Sequence, residues 1–205
     1  MIEITGYKDK HEYISDKGVR SVVYLMDCME GLKQIPDKYF ELAIVDPPYG
    51  IGQNWAKDRT AKFYAHRNDF NDTIPNQEYF DLLFRASNNQ IIWGANYYWN
   101  YLPPSNNLIF WDKGKDAERQ HGSAGEIAWT STSKYPLIKV SLNWNGAIKC
   151  ENPVRVHPHQ KPVKLYEWQI AKYYTGGGVY WTLTSEVEAV ALPAVRQISR
   201  LWGLN

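Results

Sequence analysis

The sequence predicts one α/β domain built on a buried, mostly parallel sheet. Short apolar runs of strand length alternate with amphipathic helical patterns, and 205 residues suffice to bury one continuous core. A composition of 44% hydrophobic and 22% charged residues places the chain among ordinary globular proteins.

Residues 19–26 (VRSVVYLM) are rich in β-branched and aromatic side chains and read as a strand. Asp27 then stands as a helix N-cap before a short helical pattern that ends near Pro36. Residues 41–45 (ELAIV) form a buried strand stopped by Asp46-Pro47-Pro48. Residues 76–88 read as a helix with Tyr79, Phe80, Leu83 and Phe84 on one stripe. Residues 90–93 (QIIW), 108–111 (LIFW) and 126–130 (EIAWT) are further strands, and 164–174 (KLYEWQIAKYY) is an amphipathic helix. Residues 51–71 are polar and without period, as expected of a functional loop.

The net charge of +1 does not announce a nucleic-acid partner, so local clusters must decide. Cys28 and Cys150 are too few and too far apart for a disulfide framework and suit a reducing, cytoplasmic setting. No apolar stretch approaches the ~18 residues that span a bilayer, so no membrane role is expected. His157, His159 and Cys150 have poor spacing for zinc and lack a fourth ligand, so no metal is expected.

The chemistry concentrates at Asp46-Pro47-Pro48-Tyr49. Two prolines remove two backbone donors and fix two φ angles, which makes a rigid corner at the carboxyl end of a strand, where α/β sheets bind ligands. Such a corner could serve as a plain surface turn. It could also offer the Asp46 carboxylate and the Pro47 carbonyl to the two N–H bonds of a base amino group, raising electron density on its nitrogen. Tyr49 would supply a stacking face for a base taken out of its helix. Positioning and electrostatics would then carry the catalysis.

These residues resemble the DNA adenine-N6 and cytosine-N4 methyltransferases, whose corner reads Asp/Asn/Ser-Pro-Pro-aromatic, with Asp usual for adenine. The likeness extends to Asp27-Cys28, similar to the acidic position near the cofactor adenine, and to Trp93-Gly94-Ala95-Asn96-Tyr97, similar to the segment after the next strand. It extends also to Arg155-Val156-His157-Pro158-His159-Gln160-Lys161-Pro162, similar to the family's H-P-x-Q-K-P box. The resemblance implies a Rossmann-like, S-adenosylmethionine-dependent methyltransferase sheet in circularly permuted order. Catalytic roles would fall to Asp46, Pro47, Pro48 and Tyr49. The cofactor would be bound by Asp27, Cys28, Asp46, His157, Gln160 and Lys161. Double-stranded DNA would be the partner, contacted by Lys57, Arg59, Lys62 and Arg67; a solvated charged loop is an equal reading of that last set. Tyr97, Tyr98, Trp99 and Tyr101 are expected to pack under the sheet. The rival readings are a catalytically dead DNA-binding remnant and an amino-methyltransferase acting on cytosine N4, RNA or protein. Oligomeric state, a homodimer included, and any restriction partner stay open.

The resemblance breaks after Thr175. A Gly-rich D-x-x-x-G-x-G strand-turn should follow, yet Gly176-Gly177-Gly178 leads into residues 179–188 (VYWTLTSEVE), with no Asp and no glycine pair. Read from the third base of the Tyr180 codon, the shifted frame can spell L-D-T-H-L-G-S-G-S, and a later shifted codon over Leu204 and Asn205 permits Glu. The expectation is therefore an incomplete catalytic domain over residues 1–175 and a frameshifted, non-native tail over 176–205. The sheet would then miss its Gly-rich cofactor strand and bind the cofactor weakly or not at all.

Overall fold

The computed structural model describes residues 2–15, 20–51, 72–114, 123–143, 161–176, 179–184 and 189–191. The strands are β1 (Asp9–Ile14), β2 (Arg20–Leu25), β3 (Phe40–Asp46), β4 (Ser87–Trp93), β5 (Leu108–Asp112), β6 (Gly125–Thr130), β7 (Leu137–Ser141), β8 (Val179–Thr184) and β9 (Ala189–Ala191). The helices are α1 (Cys28–Gln34), α2 (Gln77–Ala86), α3 (Ala95–Tyr98) and α4 (Val163–Tyr173). The strands make one sheet in the order β1-β2-β9-β8-β3-β4-β6-β5-β7.

The α/β expectation holds, but the sheet is mixed rather than mostly parallel. Only β8-β3-β4 at its centre and the β5-β7 pair are parallel. β1-β2, β2-β9, β8-β9, β4-β6 and β5-β6 are antiparallel. A continuous apolar run shows that both faces of a strand are covered, not which way its neighbour runs, so β6 was legible as a strand but its direction was not.

The central strand shows the two-faced burial directly. Side chains alternate across a strand, so Ala43 and Val45 enter one core while Leu42 and Ile44 enter the other. The first core is closed by Leu32 of α1 and by Tyr79, Phe80, Leu83 and Ala86 of α2, whose spacing is one helical stripe. The second is closed by α4, where Leu165, Gln169 and Tyr173 recur every fourth residue. Buried Gln169 is accommodated because its Oε1 accepts from Trp93 Nε1 and its Nε2 donates to the Leu165 carbonyl.

Local chemistry sets the helix ends. The Asp27 carboxylate accepts from the backbone N–H of Met29 (2.7 Å) and Glu30 (3.4 Å), satisfying donors that the first turn of α1 leaves orphaned. Ile35 is extended (ψ 129°), as the residue before Pro36 must be, and α1 stops. Asn76 caps α2 by accepting from Tyr79 N–H at 3.2 Å. Among the described residues no helix is long and apolar enough to cross a membrane.

One expectation needs correction. The sheet does not lack a strand beside β3, because tail residues fill that position: β8 pairs in parallel with β3 from Phe40↔Val179 to Asp46↔Thr184. The run VYWTLT has high β propensity whatever its origin, and it buries Trp181 in a stack on Phe40 (centroids 5.3 Å apart, planes at 19°). The fit is incomplete, since the buried Trp181 Nε1–H finds no acceptor among the described residues. Trp93, equally buried, has Gln169 as its acceptor. A Trp181→Phe variant should therefore lose less stability in urea unfolding than Trp93→Phe, by about 1 kcal/mol or more, because only the second change leaves a polar partner unpaired.

Candidate active site

The Asp46 corner sits at the carboxyl ends of parallel β3, β8 and β4, in the centre of the sheet. Chain direction places Asp27 at the same edge: β2 is antiparallel to β9 and β9 to β8, so β2 runs with β3. Asp27 and Cys28 thus lie at the proper edge, separated from Asp46 by β9 and β8. The Asp27 carboxylate serves the N-terminus of α1, and Cys28 is a partly buried thiol in no disulfide among the described residues.

Asp46 itself is only 3% exposed, and Pro47 is buried beside it. Lys161, immediately before Pro162 and the start of α4, brings its ammonium 2.5 Å from Asp46 Oδ2. The Tyr49 hydroxyl donates to Asp46 Oδ1 at 2.6 Å. From the other side Tyr98 of α3 points its hydroxyl at the Pro47 and Pro48 carbonyls, 2.6 Å from each. Both acceptors that the corner was expected to offer are therefore engaged by side chains of the protein itself.

A second carboxylate joins the cluster that sequence reading did not single out. Glu126 of β6 lies 3.0 Å from Lys161 Nζ and 3.3 Å from the Tyr49 hydroxyl, and it pairs with Lys113 just beyond β5. In the sequence it is one acid at the start of a short apolar run. Its meaning depends on β6 lying beside β4, a pairing that no local pattern encodes.

Charge follows geometry here. Burial raises the Asp46 carboxyl above the ordinary carboxylate range, against the opposing pull of Lys161. Burial also pushes Glu126 upward, but the ammoniums of Lys161 and Lys113 override it and hold Glu126 at about 2. Lys161 is raised despite its burial, because Asp46 and Glu126 both favour its charged form. Burial and the neighbouring carboxylates push the Tyr49 phenol up, so it stays a donor.

Tyr49 is half-buried and stacks on Tyr97, with centroids 4.8 Å apart and planes at 15°. Of the aromatics expected under the sheet, Tyr98 is buried, whereas Tyr97 and Trp99 are 40% and 48% exposed. Helix α3 buries Ala95 and Tyr98, one turn apart, and turns Asn96 and Tyr97 outward. Gly94 makes this contact possible. It lies at φ 72°, and a Cβ there would come within 2.3 Å of Tyr49 Cε1. Gly94→Ala should cost about 2–3 kcal/mol in chemical unfolding, combining backbone strain with the clash. In a Tyr49→Ala background, where the clash is gone, the same Gly94→Ala change should cost only the strain, about 1 kcal/mol.

Lys57, Arg59, Lys62, His66 and Arg67 lie outside the described residues, as do Cys150, Arg155, His157, His159 and Gln160. Among the expected site residues the structure brings together Asp46, Pro47, Pro48, Tyr49 and Lys161. An open pocket of about 610 Å³ lined by Phe84, Pro103, Trp129 and Pro136 sits at the opposite, amino end of β4 and takes no part in the corner.

No protein-family model and no curated protein matches the chain. Among solved structures it is similar to one named PvuII DNA methyltransferase (cytosine-N4-specific), with TM-score 0.44 and 14% identity over 78% of this chain and 72% of that one. A likeness that slight assigns neither fold family nor activity. The site's chemistry has to speak for itself.

Proposed function

We propose that this chain is the body of a DNA amino-methyltransferase directed at adenine N6, with its cofactor half disabled by a frameshifted tail. One observation carries the reading. A buried carboxylate sits on a doubly proline-locked corner at the carboxyl end of the central parallel strand, with the stacked rings of Tyr49 and Tyr97 beside it. A plain turn needs none of these, and burying a carboxylate there costs free energy that only a partner offsets.

On this reading the adenine amino group gives its two N–H bonds to Asp46 and to the Pro47 carbonyl, while Tyr49 stacks on the ring. Lys161, Tyr49 and Tyr98 hold these acceptors satisfied until the base arrives. Ordering is then cheap: the corner is already rigid, and the incoming donors replace existing ones. The exposed Tyr97 extends the stacking surface, and basic Lys57, Arg59, Lys62 and Arg67 would meet backbone phosphates of double-stranded DNA.

S-adenosylmethionine is the methyl donor this reading implies, and the residues present do not fit it. Thr184 of β8 is level with Asp46, so the cofactor turn would begin at Ser185-Glu186-Val187-Glu188, which holds no glycine and two acids. Trp181 packs into the core through the strand that should present a small acidic motif. The Asp27 carboxylate is turned to its own helix. The reading of this exact polypeptide as a DNA-binding remnant rests on the same mismatch.

Incubation with radiolabelled S-adenosylmethionine and double-stranded DNA tests the proposal. The chain should bind DNA with methyl incorporation near background. A frame-repaired chain should form N6-methyladenine, and Asp46→Ala should abolish that product. Methylcytosine as the product, or no methylated base from the repaired chain, would refute the adenine assignment.

A further inference from the structure

The ammonium of Lys161 is offered to three acceptors at once: Asp46 Oδ2 at 2.5 Å, Glu126 Oε2 at 3.0 Å and the Tyr49 hydroxyl oxygen at 3.2 Å. An ammonium has three donors, so the arrangement uses all of them. The site is also deliberately crowded. Gly125 lets β6 approach β5 closely, since a Cβ there would meet the Trp111 carbonyl at 2.4 Å, and this draws neighbouring Glu126 toward Lys113.

We propose that Glu126 is a positioning residue that takes over the Lys161 ammonium when the Asp46 carboxylate turns to another donor. The inference rests on the reading of Asp46 as the acceptor for a base amino group. A neutral amino group cannot by itself displace an ammonium from a carboxylate, because the ammonium adds a full charge–charge attraction to the hydrogen bond that both donors can make. Lys161 could leave Asp46 only if a second charge received it, since an unpaired ammonium in a site 7% exposed would cost several kcal/mol. Glu126 is that charge, already in contact. Lys113, Glu126, Lys161 and Asp46 together sum to zero, so moving Lys161 toward Glu126 changes no net charge in the site. Lys113 keeps Glu126 anchored and ionised while Lys161 rests on Asp46. Lys161 therefore guards Asp46 between encounters and is parked during them.

Nitrogen-15 NMR of lysine ammonium groups reads this in the full chain, with the Lys161 signal identified by its loss in Lys161→Arg. A buried, ion-paired ammonium exchanges slowly with water and stays visible. Asp46→Asn, which keeps the shape and removes the charge, should retain the signal at a shifted position because Glu126 holds it. Asp46→Asn with Glu126→Gln should lose it. Should the double variant fail to fold, Asp46→Asn with Glu126→Asp should show the same signal markedly weakened. Loss of the signal in Asp46→Asn alone, or its survival unchanged in the double variant, would overturn the proposal. A separate arm measures binding of duplex DNA carrying one adenine opposite an abasic site. Glu126→Gln should weaken it at least about tenfold. Wild-type binding equal to that of the same duplex with thymine there would defeat the adenine reading while leaving the ammonium result standing.

Discussion

A chain whose reading frame is restored after the three glycines should bind S-adenosylmethionine at least about a hundredfold more tightly than the present one. The physical basis is a count of donors and acceptors. The restored frame can place Asp followed by Gly-Ser-Gly where β8 leaves the sheet beside Asp46, and a second acid after a following strand. Glycines let a backbone approach the ligand closely and present N–H groups, and a carboxylate can accept from a ribose hydroxyl. Hydrogen bonds to a charged group contribute about 1.5–3 kcal/mol each, so two of them span about 3–6 kcal/mol, or a hundredfold and more. Calorimetric titration of both chains checks it. Low-micromolar binding by the present chain, or equal affinity in the two, would sink the frameshift proposal. The fold itself should survive the exchange, because what the position beside β3 asks for is a strand whose side chain covers Phe40, and the shifted frame supplies Leu where Trp181 now stands.

Local pattern specifies the elements of this fold better than their neighbours. The strands and helices with strong periods were legible: residues 19–26, 41–45, 90–93, 108–111, 126–130 and 164–174 all fall on elements of the expected type. β1 is not, because its side chains are mostly polar and exposed; β7 (LIKVS) carries three apolar side chains, but most of the strand is exposed and it lies outside the runs named above. β8 lacks the motif that the resemblance leads one to expect there, yet a strand needs side chains that suit a pleated surface rather than any one motif. The same division holds at the site. Asp46, Pro47 and Tyr49 announce themselves because their chemistry lies in consecutive residues. Lys161 could be tied to the site only through a resemblance, and Glu126 and Lys113 not at all. Their roles arise from β6 lying between β4 and β5, which brings together groups 35 to 115 positions apart, the separations from Lys161 to Glu126 and to Asp46.

Replacing Lys161 by Met should destabilise the fold by about 3–5 kcal/mol near neutral pH, the usual cost of stripping one partner from a buried ion pair. The side chain keeps its volume, so the loss is electrostatic: Asp46 is left with the Tyr49 hydroxyl alone, while Glu126 retains Lys113. The pH dependence fixes the cause. With its counter-ion gone, the Asp46 carboxyl rises further above the ordinary value, and a carboxyl raised on folding binds protons more tightly in the native than in the unfolded chain. Stability then falls as pH rises from the ordinary carboxylate value to the raised one, and acid relieves the defect. Urea unfolding of wild type and Lys161→Met across that range should show the gap closing toward low pH. Adding Asp46→Asn to Lys161→Met should recover most of the loss at neutral pH, because the buried charge that needed a partner is no longer there. A gap that stays constant with pH, or a double variant no more stable than Lys161→Met, would mean that Lys161 supports the fold through its packing and not as the counter-ion of Asp46.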